Sequence, residues 1–248
     1  MNTSSHESYY THNRKYALFL DTQDTHNFLK YTDTLHARTK KGDAILDVGC
    51  GTGLALEIIE QKGDRKAQGI DVAQTSIKSC LKKKLQCSVY DGKVIPFKAD
   101  TFHAVGSINT LEHTDNPIGF LDECVRVLKK NGIIIVACPN FLSVTNNYHH
   151  HTRGYMQKLK NLFGIGLRIF KRSPSFDKMQ TIDREAFQPD DDACNVTNPQ
   201  DILIWAQSRN LKLISLSSQQ IYRDGLFGLI DRYPFNILLG SCFMVFQK

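Results

Sequence analysis

The amino-acid sequence predicts an α/β protein built around a doubly wound, mostly parallel sheet. Between residues 44 and 140, short apolar strands alternate with amphipathic helices, which is the pattern of parallel strands joined by helical crossovers. The strand predicted at 132–137 is almost wholly apolar, as expected where helices cover both faces of a sheet. A glycine-rich turn directly after the first predicted strand favours the same class.

Seven strands and four main helices are predicted along the chain. The strands are 44–48, 67–71, 87–90, 102–108, 132–137, 211–216 and 242–246. The helices are 54–62, 74–84, 117–129 and 199–209. The helix at 117–129 has Pro117 in its first turn and Asn131-Gly132 just past its end, which are ordinary start and stop features. Residues 1–40 are predicted to form an N-terminal helical cap ahead of a main domain at 41–248.

The alternation of strands and helices stops after Pro139, so residues 141–197 are predicted to be an insert. Six apolar residues in it fall at near-helical spacing, with lysines and arginines between them: Met156, Leu159, Leu162, Phe163, Leu167 and Phe170. The segment 155–172 can pack this face on the domain or lay it on a membrane surface. Packing on the domain is favoured, and Gly164 and Gly166 argue against one continuous helix.

The bulk composition is that of a globular protein with a core of its own. The 248 residues are 41% hydrophobic and 23% charged, and no apolar run reaches the roughly 20 residues that span a bilayer. The seven cysteines are odd in number and include no C-x-x-C pair, so neither a disulfide framework nor a zinc site is predicted. Free cysteines of this kind suggest a reducing, cytoplasmic location.

Charge is unevenly distributed along the insert. No Asp or Glu occurs between Cys124 and Phe176, whereas residues 177–201 are rich in acids. The basic block could meet an anionic partner, but a surface neutralised by the acidic block that follows is the favoured interpretation.

The glycine-rich turn carries the strongest chemical information. Gly49, Gly51 and Gly53 follow the first strand, with Asp47 two residues before them and Asp71 at the end of the next strand. Backbone N–H groups in such a turn can hold an anionic ligand, and an acid at the position of Asp71 can accept hydrogen bonds from ribose hydroxyls. These features alone fit NAD, FAD and S-adenosylmethionine (SAM) equally.

Further motifs narrow the choice, because together they resemble the class I SAM-dependent methyltransferases from residue 44 to residue 140. The matching segments are Leu46–Gly53, Ile70-Asp71, Asp91–Phe97, Asp100–Val105, Leu111–His113, Arg126–Gly132 and Pro139-Asn140. The resemblance implies a Rossmann-like, seven-stranded fold that binds SAM and releases S-adenosylhomocysteine. It also implies that the insert at 141–197 is a substrate lid. His103, Lys130 and Asn131 depart from the family pattern at positions that are not expected to touch the cofactor.

The resemblance assigns a role to each matching residue. Gly49, Cys50, Gly51 and Gly53 would approach the methionine part of SAM, where side chains at the glycines would block it. Asp47 would orient this loop and the ammonium group. Asp71 would hold the ribose and Val72 would lie against the adenine, whose edge Asp91 and Gly92 would read. Asn109 would lie beside the sulfonium.

The implied reaction is transfer of the SAM methyl group to a nucleophile by in-line displacement. Positioning supplies most of the catalysis, and a general base is needed only for a hydroxyl or a protonated amine. His113 is the candidate base, with a capping or packing histidine as the alternative. A small-molecule, lipid or glycan acceptor is favoured over nucleic acid, because Asn109–Glu112 lacks the N/D-P-P-Y/F motif of amino-methylating enzymes.

Two other functions compete with this one. A SAM-fold protein that only supports a catalytic partner would more often have lost the glycine loop and its acids. An NAD-type oxidoreductase is disfavoured because its fingerprint, G-x-G-x-x-G, needs a third glycine at residue 54, where this chain has leucine.

Overall fold

The computed structural model describes residues 26–63, 65–143, 155–170, 173–182, 191–218 and 240–248. Its helices are α1 His26–Arg38, α2 Leu54–Gln61, α3 Gln74–Lys82, α4 Pro117–Val127, α5 Tyr155–Ile169 and α6 Pro199–Ser208. Its strands are β1 Ala44–Val48, β2 Lys66–Asp71, β3 Cys87–Val89, β4 Phe102–Ile108, β5 Leu128–Cys138, β6 Lys212–Ser217 and β7 Cys242–Gln247. A short 3₁₀ helix covers Leu111–His113.

The strands form one sheet in the order β3-β2-β1-β4-β5-β7-β6. Strand β1 pairs in parallel with β2 and with β4, and β2 pairs in parallel with β3, while β6 and β7 run antiparallel. The predicted fold class is therefore confirmed. The strand order reverses between β1 and β4, and ligands of open α/β sheets bind at the carboxyl ends of the strands at such a reversal.

Chain contacts divide the molecule into two compact units. The first comprises 1–110, 114–135 and Lys248, and the second comprises 111–113 and 136–247. Helix α1 belongs to the first unit, where Tyr31 and Leu35 are wholly buried. The predicted division into a cap at 1–40 and a main domain at 41–248 stays a prediction.

Two helices begin in the same way because their sequences begin in the same way. An asparagine and a proline stand at the start of α4 and of α6, and each asparagine side chain accepts a backbone hydrogen bond of 3.0 Å. The cap satisfies one of the free N–H groups of the first turn, and proline supplies a suitable φ angle. This local chemistry made both starts predictable.

Strand β5 is longer than the predicted strand at 132–137. It begins at Leu128, and backbone hydrogen bonds join Lys248 to Asn131 and Gly132. The ammonium group of Lys248 also contacts Asp100 and the carbonyls of Val125 and Leu128. Pairing with a residue so distant in the sequence leaves no local pattern, which explains why the first four residues were missed.

Helix α5 is continuous through Gly164 and Gly166, so the expectation that these glycines interrupt it is wrong. The Arg168 side chain explains the first glycine, because a Cβ at residue 164 would lie 3.3 Å from a guanidinium nitrogen. Arg168 is buried and forms ion pairs with Asp201, at 3.1 Å, and with Asp177. A buried charge of this kind is tolerated only because it is paired.

The apolar face of α5 is also placed differently from the favoured expectation. Five apolar residues of α5, together with Phe170 directly after it, are between 41% and 85% exposed: Met156, Leu159, Leu162, Phe163, Leu167 and Phe170. The prediction that this face packs on the domain is therefore wrong, because Ile165 and Arg168 occupy the buried side instead. None of the helices in the described part of the chain has the length and apolarity that crossing a membrane requires.

A buried hydrogen bond connects α1 to the centre of the sheet. The Tyr31 hydroxyl donates to Asp47 Oδ1 over 2.7 Å, and both side chains are almost wholly buried. Asp47 pairs with Gly106 across β1 and β4, and a Cβ on Gly106 would lie 2.0 Å from the Tyr31 oxygen. Glycine at this position therefore makes room for the tyrosine that satisfies the buried acid.

We expect Tyr31→Phe to lower the free energy of unfolding by about 1–3 kcal/mol, because a buried carboxyl then loses its donor. Chemical denaturation monitored by circular dichroism measures the change. Tyr90→Phe is the matched control, since it removes a hydroxyl from a half-buried tyrosine outside this contact. Equal stability of Tyr31→Phe and the parent protein would contradict the assigned role of this hydrogen bond.

The same carboxyl should make stability depend on pH. Burial raises the pKa of Asp47 from 3.8 to about 7, although the Tyr31 hydrogen bond acts in the opposite direction. Folding is therefore favoured at low pH, and this advantage is lost as the pH rises from 3.8 to about 7. We expect Asp47→Asn to gain stability relative to the parent across this window. Parallel pH profiles of the two proteins would contradict the assignment.

Candidate functional site

The predicted cofactor residues lie at the carboxyl ends of four adjacent strands. Residues 49–53 follow β1, Asp71 ends β2 and is followed by Val72, residues 91–92 follow β3, and Asn109 follows β4. All belong to the first compact unit. Since β1 to β4 are neighbours in the sheet, these segments come together at the strand-order reversal, where a ligand is expected.

The glycine loop is held in place by the neighbouring strand β2. The backbone N–H groups of Gly49 and Cys50 donate to the carbonyl of Ile70 over 2.8 and 3.1 Å, and that of Gly51 donates to Asp71 Oδ2 over 2.9 Å. Gly49, Gly51 and Gly53 have φ angles of 79°, 52° and 86°, in the left-handed region that favours glycine.

Two of these glycines are required by the protein's own packing. A Cβ on Gly49 would lie 2.1 Å from Thr110 Oγ1, and one on Gly53 would lie 2.5 Å from a methyl carbon of Leu85. The sequence predicts glycine here because a ligand would approach the backbone closely. The structure adds a second reason at residues 49 and 53, which is contact with side chains from other elements.

Asp71 has a structural role in addition to the predicted one. Its two oxygens accept hydrogen bonds from the backbone of Gly51 and, over 2.8 Å, of Ala73. Burial raises its pKa, and these backbone hydrogen bonds partly offset that effect. The side chain remains half-exposed, and each carboxylate oxygen has a second lone pair for another donor. Binding of a ribose through Asp71 stays a prediction consistent with this geometry.

Asp47 is buried in the protein interior and is not part of the exposed surface. It is 1% exposed and hydrogen-bonded to Tyr31, a partner that sequence reasoning missed because it lies on α1. Asp47 lies in the buried part of β1, two residues before Gly49. Its contact with a ligand ammonium group stays a prediction.

The segment after β3 forms a tight turn. Asp91 Oδ1 accepts hydrogen bonds from the backbone of Lys93 and Val94 over 2.8 and 2.9 Å, and these bonds lower its pKa. Gly92 has a φ of 73°, and a Cβ there would lie 3.1 Å from a methyl carbon of Val72. The structure thus brings Val72 beside Gly92, which the resemblance assigned to the same adenine pocket.

The segment after β4 includes one residue that the sequence analysis did not name. Asn109 is exposed and adopts a φ of 51°, a conformation that asparagine tolerates better than most residues. The following Thr110 hydrogen-bonds to the carbonyl of Ile108 and occupies the space that a side chain at Gly49 would need. Thr110 thereby ties the end of β4 to the glycine loop.

His113 lies in the second unit, between two acids. Its Nε2 atom is 3.7 Å from Glu112 Oε1, and its Nδ1 atom is 3.6 Å from Asp192 Oδ1. All three side chains are largely buried, and Asp192 comes from the distant acidic block. The imidazole therefore has a carboxylate near each of its two ring nitrogens.

The residues of the first unit fit a ligand with the groups of SAM. Helix α2 begins at Gly53 without a side-chain cap, so its first N–H groups suit a carboxylate. The buried Thr52 Oγ1 atom has no hydrogen-bond partner among the described residues, which suits an additional polar group at the loop. Asp71 supplies the complementary acceptor for hydroxyl groups.

Comparison with known proteins agrees with this geometry. The methyltransferase domain family matches residues 46–136. The mitochondrial ubiquinone biosynthesis O-methyltransferase of Dictyostelium discoideum is 30% identical over 122 residues, which cover 42% of this chain and 38% of that protein. The 18S rRNA (guanine(1575)-N(7))-methyltransferase of Saccharomyces cerevisiae is 37% identical over 71 residues, covering 27% and 26%. The chain therefore spans less than half the length of these two relatives.

A solved structure extends the similarity of fold over almost the whole chain. The SAM-dependent methyltransferase from Aquifex aeolicus superposes with a TM-score of 0.57 and 15% identity, covering 94% of this chain and 96% of that one. The motifs, the sheet order and the matched domain agree with one another. Over residues 46–136, this chain is similar to the methyltransferase domain family, and its fold is that of solved SAM-dependent methyltransferases.

Proposed function

We propose that the protein transfers a methyl group from SAM to a nucleophilic acceptor by in-line displacement. The observation that carries the proposal is the glycine loop, held by β2 and Asp71 at the strand-order reversal. SAM itself would supply the activated methyl group on a positively charged sulfur. The protein's contribution would be to hold the donor and the acceptor in line, which is where most of the rate enhancement of such a displacement arises.

Different residues of the first unit would bind different parts of the cofactor. The uncapped start of α2 and the loop at 49–53 would hold the carboxylate end, and Asp71 would accept the ribose hydroxyls. Val72 and Gly92, which lie beside each other, would flank the adenine, with Asp91 and the backbone of its turn at the adenine edge. Asp47 would act on the loop and the ammonium end, and Asn109 would lie next to the sulfonium.

His113 is the proposed general base for a methyl acceptor that must lose a proton before or during transfer. Glu112 and Asp192 would orient its ring and stabilise the imidazolium formed when the proton arrives. An acceptor that is already a free nucleophile would not need this step.

We favour a small-molecule, lipid or glycan acceptor, and the insert at 141–197 as the segment that selects it. By their names, one relative is an O-methyltransferase of ubiquinone biosynthesis and another an 18S rRNA methyltransferase, so relatives alone leave the acceptor class open. The absence of the N/D-P-P-Y/F motif after β4 argues against amino groups of nucleic acid bases. Neither a non-catalytic partner protein nor an NAD-type oxidoreductase accounts as well for the complete loop.

Exposed residues of α5 favour presentation of the acceptor at a membrane surface. Phe163 on α5 and Phe170 directly after it are 70% and 85% exposed. The helix also carries Lys158 and Lys160, and Lys171-Arg172 follow in the sequence. Aromatic and basic residues on one helix are typical of segments that lie in the headgroup region of anionic lipids. The segment 155–172 is therefore the proposed membrane contact, and a lipid or lipid-linked glycan is the acceptor class that it would suit.

We expect the purified protein to bind SAM and S-adenosylhomocysteine, but not NADH, in isothermal titration calorimetry. Asp71→Ala should weaken SAM binding at least about tenfold, because it removes the ribose acceptor and releases the loop. Asp33→Ala is the matched control, since this acid lies on α1 in an exposed ion pair with Lys62. Thermal unfolding of each variant checks that the fold is intact.

The outcomes of this titration separate the competing functions. Binding of NADH in place of SAM would favour the oxidoreductase, and binding of neither by folded protein would contradict the proposed methyl transfer. Binding of SAM that Asp71→Ala leaves unchanged would contradict the role given to Asp71.

We expect the protein to sediment with vesicles that contain phosphatidylglycerol and less with neutral vesicles. Phe163→Ser combined with Phe170→Ser should reduce this binding about tenfold or more, because each buried aromatic contributes roughly 1.5–3 kcal/mol. Leu81→Ser is the matched control, as Leu81 is an exposed apolar residue on α3. Unchanged sedimentation of the double variant would exclude α5 as the membrane contact.

A further inference from the structure

Three cysteines from separate elements meet beside the glycine loop. Cys50 lies in the loop, Cys80 on α3 and Cys87 at the start of β3, and their sulfur atoms all lie within 4.8 Å of one another. Cys50 and Cys80 are buried, whereas Cys87 is half-exposed. This group is called the thiol cluster below.

The strand pairing creates the space for the thiol cluster. Gly69 of β2 pairs with Cys87 of β3, and a Cβ on Gly69 would lie 2.7 Å from the Cys50 sulfur. Gly53 plays a similar role, because a Cβ there would lie 3.0 Å from the Cys80 sulfur. Because Gly69 and Gly53 have no side chains, the Cys50 and Cys80 sulfur atoms have the space that they occupy.

The neighbouring Cys50 thiol, and then the Cys80 thiol, lower the pKa of Cys87. Cysteine binds metals as the thiolate.

We propose that the thiol cluster binds a thiophilic d¹⁰ cation such as Zn²⁺ through its three sulfur atoms. Thiolates select Zn²⁺ and Cu⁺ over harder cations, and Zn–S bonds of about 2.3 Å place sulfur ligands roughly 3.8 Å apart. The three sulfur atoms already lie within 4.8 Å of one another before any cation is bound. The half-exposed side at Cys87 lets water supply a fourth ligand.

The proposed site adjoins the glycine loop but does not depend on methyl transfer. Cys50 stands between Gly49 and Gly51, and the Cys80 sulfur lies 3.2 Å from the carbonyl of Gly51. Cation binding would take the proton that Cys80 donates to this carbonyl, so the loop would lose one of its contacts. Cation binding can be measured without SAM, and the proposal therefore stands or falls separately from the proposed activity.

The test is a titration of the fully reduced protein with Cd²⁺, used as a spectroscopic substitute for Zn²⁺, under oxygen-free conditions. We expect thiolate-to-cadmium charge-transfer absorption that saturates at one ion per chain, with Zn²⁺ competing. Cys80→Ser and Cys87→Ser should each weaken binding at least about tenfold, since each removes a ligand. Cys194→Ser is the matched control, because Cys194 is half-exposed and outside the cluster.

A second measurement uses the unaltered protein and avoids variants that fold poorly. Zn²⁺ should slow alkylation of Cys50, Cys80 and Cys87, identified by peptide mapping, and leave the other four cysteines unaffected. Absence of saturable Cd²⁺ absorption would overturn the proposal. Equal Cd²⁺ affinity in Cys87→Ser and the parent, or protection of other cysteines instead, would overturn it as well.

Discussion

The hydrogen bonds between the glycine loop and the end of β2 are the interaction on which the rest of the first unit depends. Gly49 and Cys50 donate to Ile70, and Gly51 donates to Asp71. These bonds turn the chain from β1 into α2 and bring the carboxyl end of β1 next to that of β2. Because the loop is tied to its neighbour strand, its N–H groups and the Asp71 carboxylate have a fixed relative position before any ligand arrives, which reduces the entropic cost of binding.

Side chains pack closely around the loop and leave no room for a Cβ at Gly49 or Gly53. Thr110 fills the space next to Gly49, and Leu85 and Cys80 fill the space next to Gly53. Close packing also explains how the buried Asp47 obtains a hydrogen bond. The Tyr31 hydroxyl can reach Asp47 only because Gly106 has no side chain in its way. Burial of this acid costs stability at neutral pH, and we regard that cost as a consequence of placing a carboxyl directly below the loop.

The second unit combines a firmly anchored helix with an exposed apolar face. Arg168 holds α5 through two acids, Asp177 and Asp201, so the helix does not need its apolar residues for attachment. This ion-pair network also explains part of the charge pattern, because the acidic block supplies partners for the basic one. The apolar residues of α5 are consequently available to an external partner, and the proposed membrane contact follows from that arrangement.

The sequence by itself determined the order of strands and helices, the fold class and the loop with its acids, because these depend on local periodicity, capping and short spacing. It could not show that Tyr31 reaches Asp47, that Lys248 extends β5, or that Asp192 lies beside His113. It also left Cys50, Cys80 and Cys87 as three isolated residues without a metal-binding spacing. Only the tertiary structure brought these groups together, because each contact joins elements that are distant in the chain and adjacent only after the sheet has formed.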